Sequence, residues 1–181
     1  MCSTLCGLNH FRFYIYKVKT ILLIRHAKSS WTDASLNDFD RPLNDRGKRD
    51  APVMARRLSD KKIKIDTFIS SPAKRAKKTA IFFAQEFGVN ENDIVYKTEL
   101  YGAPSEVFYE VIEKLDNDTD NIAVFSHNPG ITEFANSLTD VRADDMPTCA
   151  IFAIKSDAKK WKEFSSSKKQ FWFFDYPKST E

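Results

Sequence analysis

The sequence predicts an α/β fold: a three-layer α/β/α sandwich with a mostly parallel central sheet. Short apolar runs that favour strands alternate with amphipathic runs that favour helices, which is typical of a parallel sheet covered on both faces. At 181 residues the chain is long enough for one well-buried core and short for two. No linker, repeat or low-complexity tract divides it. We therefore predict an N-terminal extension over residues 1–18 and a single domain over residues 19–181.

Six segments are rich in β-branched and aromatic residues and are bounded by turn residues, so they are predicted as strands. The first four precede predicted helices, and the last two are expected at sheet edges. The segments are residues 20–24, 64–72, 92–100, 121–127, 149–155 and 170–176.

Four helices are predicted between these strands. The first begins after Asn44, a good N-cap, and buries Ala51, Met54, Ala55 and Leu58, while Pro52 should kink or restart it. The second covers residues 72–88, begins at a proline and ends at a glycine, and should direct Ile81, Phe82 and Phe83 toward the sheet. Residues 104–115 and 129–138 form the other two.

Composition excludes several classes of protein. The 28 basic and 25 acidic residues nearly balance, so nucleic acid is not an expected partner. Three cysteines without CxxC spacing argue against a disulfide scaffold and favour a reducing compartment, which we take to be the cytoplasm. No apolar run approaches the roughly 20 residues of a membrane span. The basic extension is predicted to be an extra strand or a loosely held arm rather than a targeting peptide, with His10 a surface or packing residue.

Two of the three histidines stand where predicted strands end. His26 follows the first strand in "LIRHAKSSW", and His127 follows the fourth in "NIAVFSHNPG". Ligands gather at the carboxyl ends of parallel strands, although either histidine alone is more often a structural residue. Arg25 precedes the first, and Arg75 should lie in the first turn of a helix, whose N-terminus favours anions. Two guanidinium groups beside two imidazoles therefore indicate an anion site, for example for phosphate.

Other chemistries have no matching motif. "DRGKRD" is not a P-loop, because Pro42 stands where the first glycine is needed and Arg49 where Ser or Thr is needed. The chain contains no HExxH, GxGxxG or GxSxG sequence. We therefore expect a site rich in arginine and histidine that uses no metal and no cofactor.

Four motifs in order resemble the histidine phosphatase superfamily, whose fold is phosphoglycerate mutase-like, and specifically its SixA-like phosphohistidine phosphatase branch. They are "LIRHAKSSW", "DRPLNDRGKRDA", "SSPAKRAKKTA" and "SHNPGI". The resemblance extends from Lys19 to the final strands. Ala27 departs from the glycine that many members have after the Arg-His pair, but alanine there fits the SixA-like branch.

The resemblance implies a role for each motif residue. His26 is the expected nucleophile, which forms a phosphohistidine intermediate that water hydrolyses. Arg25 and Arg75 are expected to bind the phosphate oxygens, and His127 to donate a hydrogen bond to them. Arg41 in "DRPL" matches a further phosphate-binding arginine, with a surface charge as its alternative reading.

The resemblance also implies a carboxylate general acid. Glu99, at the end of the third predicted strand, stands near the usual place of that group, with an exposed strand-end glutamate as the alternative interpretation. Asp38 and Asp40 are weaker candidates. A phosphoramidate depends less on such an acid than a phosphoester does, because imidazole leaves more easily than an alkoxide.

Short loops leave no lid over a small metabolite, so the expected substrate is phosphohistidine in a partner protein. A phosphatase of small phosphoesters remains the alternative, a mutase is less favoured, and a non-catalytic phosphate- or phosphoprotein-binding module is a third reading.

Overall fold

The computed structural model describes residues 18–179. Its six strands are β1 (Lys19–Arg25), β2 (Thr67–Ser70), β3 (Val95–Tyr96), β4 (Asn121–Ser126), β5 (Ile151–Ser156) and β6 (Lys169–Asp175). Its four α-helices are α1 (Asp45–Asp60), α2 (Lys74–Glu86), α3 (Ser105–Glu113) and α4 (Gly130–Leu138). The strands form one sheet in the order β3-β2-β4-β1-β5-β6.

Side chains alternate across the central strand β1 and enter two separate cores, because successive residues of a strand point to opposite faces. Ile21 and Leu23 pack in one apolar cluster with residues of α3 and α4. Leu22 and Ile24 pack in the other with residues of α1 and α2. All four side chains are fully buried. The predicted three-layer α/β/α sandwich is therefore confirmed.

The sheet is parallel at its centre and antiparallel on one side. β4 pairs in parallel with both β1 and β2, and β3 pairs in parallel with β2. β5 pairs antiparallel with β1 on one side and with β6 on the other. The prediction that β5 is an edge strand was therefore wrong, since β6 covers it.

The third predicted strand is much shorter than its β-favouring sequence indicated. Only Val95 and Tyr96 pair with β2, between 3-10 turns over Glu91–Asp93 and Thr98–Leu100. β2 itself has four residues, so little sheet edge is available for pairing. Glu99 consequently lies in a turn rather than in a strand.

The start of α1 follows the predicted cap chemistry, while α2 begins at Lys74 rather than at the predicted Pro72 and has no side-chain cap. The Asn44 side chain accepts a hydrogen bond from the Gly47 N–H, and Ala51, Met54, Ala55 and Leu58 are fully buried. Pro52 does not restart α1, which is continuous through it. In α2, Ile81 and Phe83 are buried as predicted, whereas Phe82 is half-buried and lines an outer groove.

The N-terminal extension, with His10, Cys2 and Cys6, lies outside the described residues apart from Val18. Cys149 is free and buried. Within residues 18–179, no helix is long and apolar enough to cross a bilayer.

Candidate active site

Three adjacent parallel strands deliver the site residues to one edge of the sheet. Arg25 ends β1 and pairs in register with Ser126, the last residue of β4. His26 and His127 are therefore the next residues on neighbouring strands. Ser71 follows β2 on the other side of β4, and the chain then enters α2. The strand-end prediction for the two histidines is confirmed by their 5.0 Å ring-centroid separation.

Two glycines allow the loops of this edge to pack against neighbouring backbone. A Cβ on Gly130, at the start of α4, would lie 1.7 Å from the Ala103 carbonyl oxygen. A Cβ on Gly47, in α1, would lie 2.2 Å from the Lys28 carbonyl oxygen. Any larger residue would have to displace backbone. The glycines of "DRG" and "NPG" therefore set how closely α1 and α4 approach the site.

His26 is held in one tautomer. Its Nδ1 lies 2.7 Å from the backbone oxygen of Ala27, so this nitrogen carries the proton and donates it. Its Nε2 lies 3.2 Å from Nε of Arg75, which donates, so Nε2 presents its lone pair. Burial lowers the pKa of His26 well below 6.5, and His127 and the charges of Arg75 and Arg25 lower it further, outweighing the opposing hydrogen bond to Ala27. His26 is thus a neutral imidazole.

His127 is also neutral and has one unpartnered ring nitrogen. Its Nε2 lies 2.9 Å from the Ser71 hydroxyl, which also accepts from the Ala73 N–H. Either atom can donate in this pair, so Nδ1 of His127 is a donor in the tautomer in which the Ser71 hydroxyl donates to Nε2. That Nδ1 is buried and has no hydrogen-bond partner among residues 18–179. Burial, followed by the charge of Arg75, lowers the pKa of His127 to about 3.

Arg25 and Arg75 approach His26 from different elements. The Nη2 of Arg75 donates to the Asp38 carboxylate at 2.8 Å, and its Nη1 donates to the Asp38 backbone oxygen. Arg25 Nη1 donates to Asp145 at 3.0 Å and to the Met146 backbone oxygen. The Nε of Arg25 is buried and, like Nδ1 of His127, has no partner within the described part of the chain.

Arg41 is buried beside the same site rather than displayed on the surface. Its donors bond the Ser30 carbonyl oxygen at 3.0 Å, the Ser29 hydroxyl at 2.6 Å and the Asp38 carboxylate at 2.8 Å. Its guanidinium stacks 3.2 Å from the ring centroid of Trp31, whose side chain is 74% exposed. The surface-charge reading of Arg41 was therefore wrong.

Asp38 connects the arginines and is unsuited to donate a proton. Burial would raise its pKa, but hydrogen bonds from Tyr101 and Arg75, the charge of Arg75 and a hydrogen bond from Arg41 lower it to about 2. The Tyr101 hydroxyl donates to the same carboxylate at 2.8 Å. Asp38 is therefore an ionised acceptor at neutral pH. Its sequence position predicted a weak candidate acid, and its role in orienting two arginines was missed.

Glu99 and Asp40, two of the predicted candidate acids, do not lie among the side chains around His26. Glu99 is exposed, and its carboxylate accepts from the Thr98 hydroxyl at 3.3 Å. A hydrogen bond from its own backbone N–H lowers its pKa despite some opposing desolvation. Asp40 is exposed and accepts from the Asn37 side chain at 2.7 Å. Among the contacts of residues 18–179, neither carboxylate touches His26, Arg75 or His127.

Arg25, His26, Arg41 and Arg75 border a polar cleft of about 180 Å³, whereas His127 and Asp38 are not among its lining residues. Its lining residues are Arg25, His26, Lys28, Ser29, Trp31, Arg41, Arg75 and Thr148. Trp31 and Thr148 were missed by sequence reasoning, although Trp31 stands in the quoted "RHAKSSW" motif. No group of three or more His, Cys, Asp or Glu residues able to hold a metal ion occurs in the described part of the chain. The cleft combines cationic donors with one unprotonated imidazole nitrogen, which suits a phosphoryl group.

Solved structures with a similar fold include phosphatases. A protein named as the phosphohistidine phosphatase SixA of Agrobacterium tumefaciens is 24% identical, with a TM-score of 0.73 over 88% of this chain and 98% of that one. The protein histidine phosphatase SixA complexed with tungstate is 20% identical, with a TM-score of 0.74 over 87% and 97%. Mycobacterial glucosyl-3-phosphoglycerate phosphatase is 13% identical, with a TM-score of 0.62 over 85% and 97%.

Sequence comparison gives the family. The model described as histidine phosphatase superfamily (branch 1) matches residues 21–101, which include the first three motifs. A chloroplastic protein of Arabidopsis thaliana is 31% identical over 153 residues, which cover 80% of this chain and 70% of the relative. A Mycobacterium tuberculosis protein is 29% identical over 122 residues, covering 67% and 73%. As the four motifs predicted, the chain belongs to the histidine phosphatase superfamily, and its fold is the SixA-like one.

Proposed function

We propose that residues 19–181 form a phosphatase domain in which His26 is the nucleophile and phosphohistidine in proteins is the substrate. The observation that carries this proposal is the environment of His26. Its Nδ1–H is fixed on the Ala27 carbonyl, and its Nε2 lone pair lies beside the Arg75 guanidinium. The pKa of His26 is well below 6.5, so the imidazole is neutral and nucleophilic at physiological pH.

The proposed reaction has two displacements at phosphorus. In the first, the Arg75 Nε–H releases the lone pair of His26 Nε2 and turns to a phosphoryl oxygen. That lone pair forms a bond to phosphorus while the bond to the substrate nitrogen or oxygen breaks. The leaving group departs with that electron pair, and His26 becomes a phosphorylated imidazolium that still donates from Nδ1 to Ala27. In the second, water attacks phosphorus, the P–N bond breaks, and inorganic phosphate and neutral His26 are released. These steps use no metal and no cofactor.

The surrounding donors supply the electrostatic part of catalysis. Arg75 and Arg25 stabilise negative charge on the phosphoryl oxygens, and Arg41 adds a third guanidinium at the cleft wall. The Nε–H of Arg25 and the Nδ1 atom of His127 are buried without a partner in residues 18–179. When the Ser71 hydroxyl donates to Nε2, Nδ1 of His127 carries the proton, and the two groups offer two donors to substrate oxygens. We propose that His127 acts through this neutral N–H.

The leaving group of the reaction favours phosphohistidine over an alkyl phosphoester as the substrate. When the second nitrogen of a phosphorylated substrate imidazole carries a proton, P–N cleavage expels a neutral imidazole, whereas a phosphoester of an alcohol expels an alkoxide unless an acid protonates it. Glu99, the expected acid, is exposed and ionised, and Asp38 has a pKa of about 2. The fold shared with SixA phosphohistidine phosphatases supports the same substrate class.

A phosphatase of small phosphomonoesters is the second candidate. The similar fold of glucosyl-3-phosphoglycerate phosphatase favours it. Such an enzyme would use the same four residues His26, Arg25, Arg75 and His127. The two candidates differ in how much they need a general acid, and that difference can be measured.

The substrate class is tested with Glu99→Gln and three substrates. We expect the native protein to hydrolyse a protein phosphorylated on histidine with a higher kcat/KM than an alkyl phosphate, and Glu99→Gln to leave turnover of the phosphohistidine protein within about twofold because imidazole needs no strong acid. Any loss of turnover in Glu99→Gln should be larger with an alkyl phosphate than with an aryl phosphate as the substrate. Glu91→Gln, in another exposed 3-10 turn, is the matched control.

Two results would count against phosphohistidine. A severe loss of phosphohistidine turnover in Glu99→Gln alone would make Glu99 the general acid. A native kcat/KM that is far higher for an alkyl phosphate would favour the phosphomonoesterase.

The pH dependence of kcat tests the neutral state of His26. Burial and the neighbouring charges lower the pKa of His26, so the imidazole stays unprotonated as pH falls through 6.5. We expect kcat for an aryl phosphate to remain level from pH 8 to below 6.5, without a loss centred on the ordinary histidine pKa. A decline with an apparent pKa near 6.5 would show that His26 titrates as an exposed histidine.

We propose a cytoplasmic location. Cys149 is a free thiol, which fits a reducing compartment. The name of the Arabidopsis relative places that protein in the chloroplast, so an organelle is the alternative. Imaging of the tagged full-length chain distinguishes the two locations.

A further inference from the structure

A second cavity, which we call the α1–α2 groove, lies beside the phosphate cleft. It has a volume of about 340 Å³. Pro42, Leu43 and Phe82 supply apolar side chains, and Lys48, Lys74 and Lys78 supply exposed ammonium groups. The groove therefore combines an apolar surface with positive charge and offers no carboxylate of its own.

The groove is joined to the cleft through the chain. Pro42 directly follows Arg41, and Lys74 directly precedes Arg75, so each wall of the groove begins next to an arginine of the cleft. The Lys74 N–H donates to the Phe39 carbonyl oxygen at 3.0 Å, which ties the start of α2 to the loop between β1 and α1. The walls of the groove and of the cleft are therefore continuous along the chain.

Two lysines of α2 occupy positions where their charges are electrostatically unfavourable for the helix. Lys74 lies in the first turn, where the helix dipole disfavours cations, and the first turn of α2 contains no acidic residue. Lys74 and Lys78 are four residues apart, a spacing at which like charges repel. Neither makes an ion pair within residues 18–179, although Lys78 lies 5.0 Å from the ring centroid of Phe82. The helix dipole and ion pairs therefore do not account for the lysines at these two positions.

Lys48, on α1, supplies the third positive charge of the α1–α2 groove. The carboxylate nearest to its ammonium group is Asp45 at 3.6 Å, and both side chains are largely exposed, so this pair neutralises little charge. Three cations thus border one apolar groove. The complementary occupant bears carboxylates around an apolar side chain.

We propose that the α1–α2 groove docks an acidic segment of the phosphorylated partner protein, with an apolar side chain against Phe82 and carboxylates at Lys48, Lys74 and Lys78. This proposal rests on the proposed function, since it assigns the feature by which a protein substrate is selected. A small phosphoester that fills only the cleft gains nothing from the groove. Selectivity for acidic protein segments is the expected result.

Two synthetic peptides test the docking. Both carry one central histidine, phosphorylated chemically; one is flanked by glutamates and a leucine, and the other by glutamines and a serine. The native protein should hydrolyse the acidic phosphopeptide with about 10-fold higher kcat/KM, and this preference should shrink as salt screens the charges. Lys48→Gln/Lys74→Gln/Lys78→Gln should remove the preference and leave hydrolysis of an aryl phosphate unchanged.

A matched control separates the groove from net charge. Lys160→Gln/Lys162→Gln/Lys168→Gln changes the charge equally at exposed positions outside the groove and should keep the native preference. Fluorescence anisotropy of the labelled, unphosphorylated acidic peptide measures docking without turnover. It should bind the native protein and the control variant about 10-fold more tightly than the groove variant.

The outcomes distinguish the two proposals. Equal hydrolysis and equal binding of the two peptides would overturn the docking and leave the phosphohistidine activity standing. Binding of the acidic peptide without hydrolysis of either phosphopeptide, while an aryl phosphate is hydrolysed, would overturn the substrate proposal and support the groove. Equal losses in both triple variants, or a loss on the aryl phosphate in the groove variant, would overturn the role of these lysines.

Discussion

Replacing His26 by alanine should lower kcat by at least about 10³-fold on every substrate, because the group that forms the bond to phosphorus is removed. Under the proposed function, Arg25, Arg75 and His127 should still bind the phosphoryl group in this variant but cannot accept it. His26 is buried at the end of a central strand, and alanine is smaller, so the fold should persist. Steady-state rates are measured together with thermal unfolding to verify this.

His127→Ala is the comparison for this variant. It removes one proposed donor to the phosphoryl oxygens and leaves the proposed nucleophile His26, so it should be slower than the native protein but still form a phosphoenzyme. Native-like rates in His26→Ala would exclude His26 as the nucleophile. A complete loss of the phosphoenzyme in His127→Ala together with an active His26→Ala would assign the role to His127 instead.

Replacing Arg75 by lysine should lower kcat by about 10²-fold, similar to the loss of one transition-state donor. The guanidinium contacts His26 through Nε and Asp38 through both terminal nitrogens. A single ammonium keeps the charge but cannot make these contacts and bind a phosphoryl oxygen at the same time. The lysine substitution therefore tests whether the several donors of the guanidinium are needed rather than whether its charge is needed.

Arg56→Lys is the control for the arginine substitution. Arg56 lies on α1, is 68% exposed, and pairs with Glu86 at 2.8 Å. Its replacement should leave kcat unchanged. If Arg75→Lys also retained native kcat and KM, Arg75 would have no part in the transition state.

The central fold was predictable because local and tertiary preferences agree there. The β1 and β4 sequences are continuous apolar runs that suit strands buried on both faces, and their ends placed His26 and His127 on one sheet edge. Asn44 marked the start of α1 through its cap chemistry. These features depend on a few consecutive residues.

The rest of the site depends on contacts between distant loops. Asp38 meets Arg75 and Tyr101 across sequence separations of 37 and 63 residues, and no local pattern specifies those pairs. Glu99 was expected at the end of a full-length strand, but β3 pairs over only two residues and leaves Glu99 in an exposed turn. Phe82 lies on the same face of α2 as Lys74 and Lys78 rather than on the buried face. The sequence shows three consecutive apolar residues there and does not indicate which of them faces outward.

The most direct test is to trap and map the phosphoenzyme. The native protein is mixed with substrate, quenched in alkali, in which phosphohistidine is stable, and mapped by mass spectrometry and by phosphorus NMR. We expect one acid-labile phosphoryl group on His26, attached at Nε2, because Nδ1 is held by the Ala27 carbonyl. A phosphoryl group on Nδ1 of His26 or on His127, or full turnover with no phosphoenzyme at any time, would show that Nε2 of His26 is not the nucleophile.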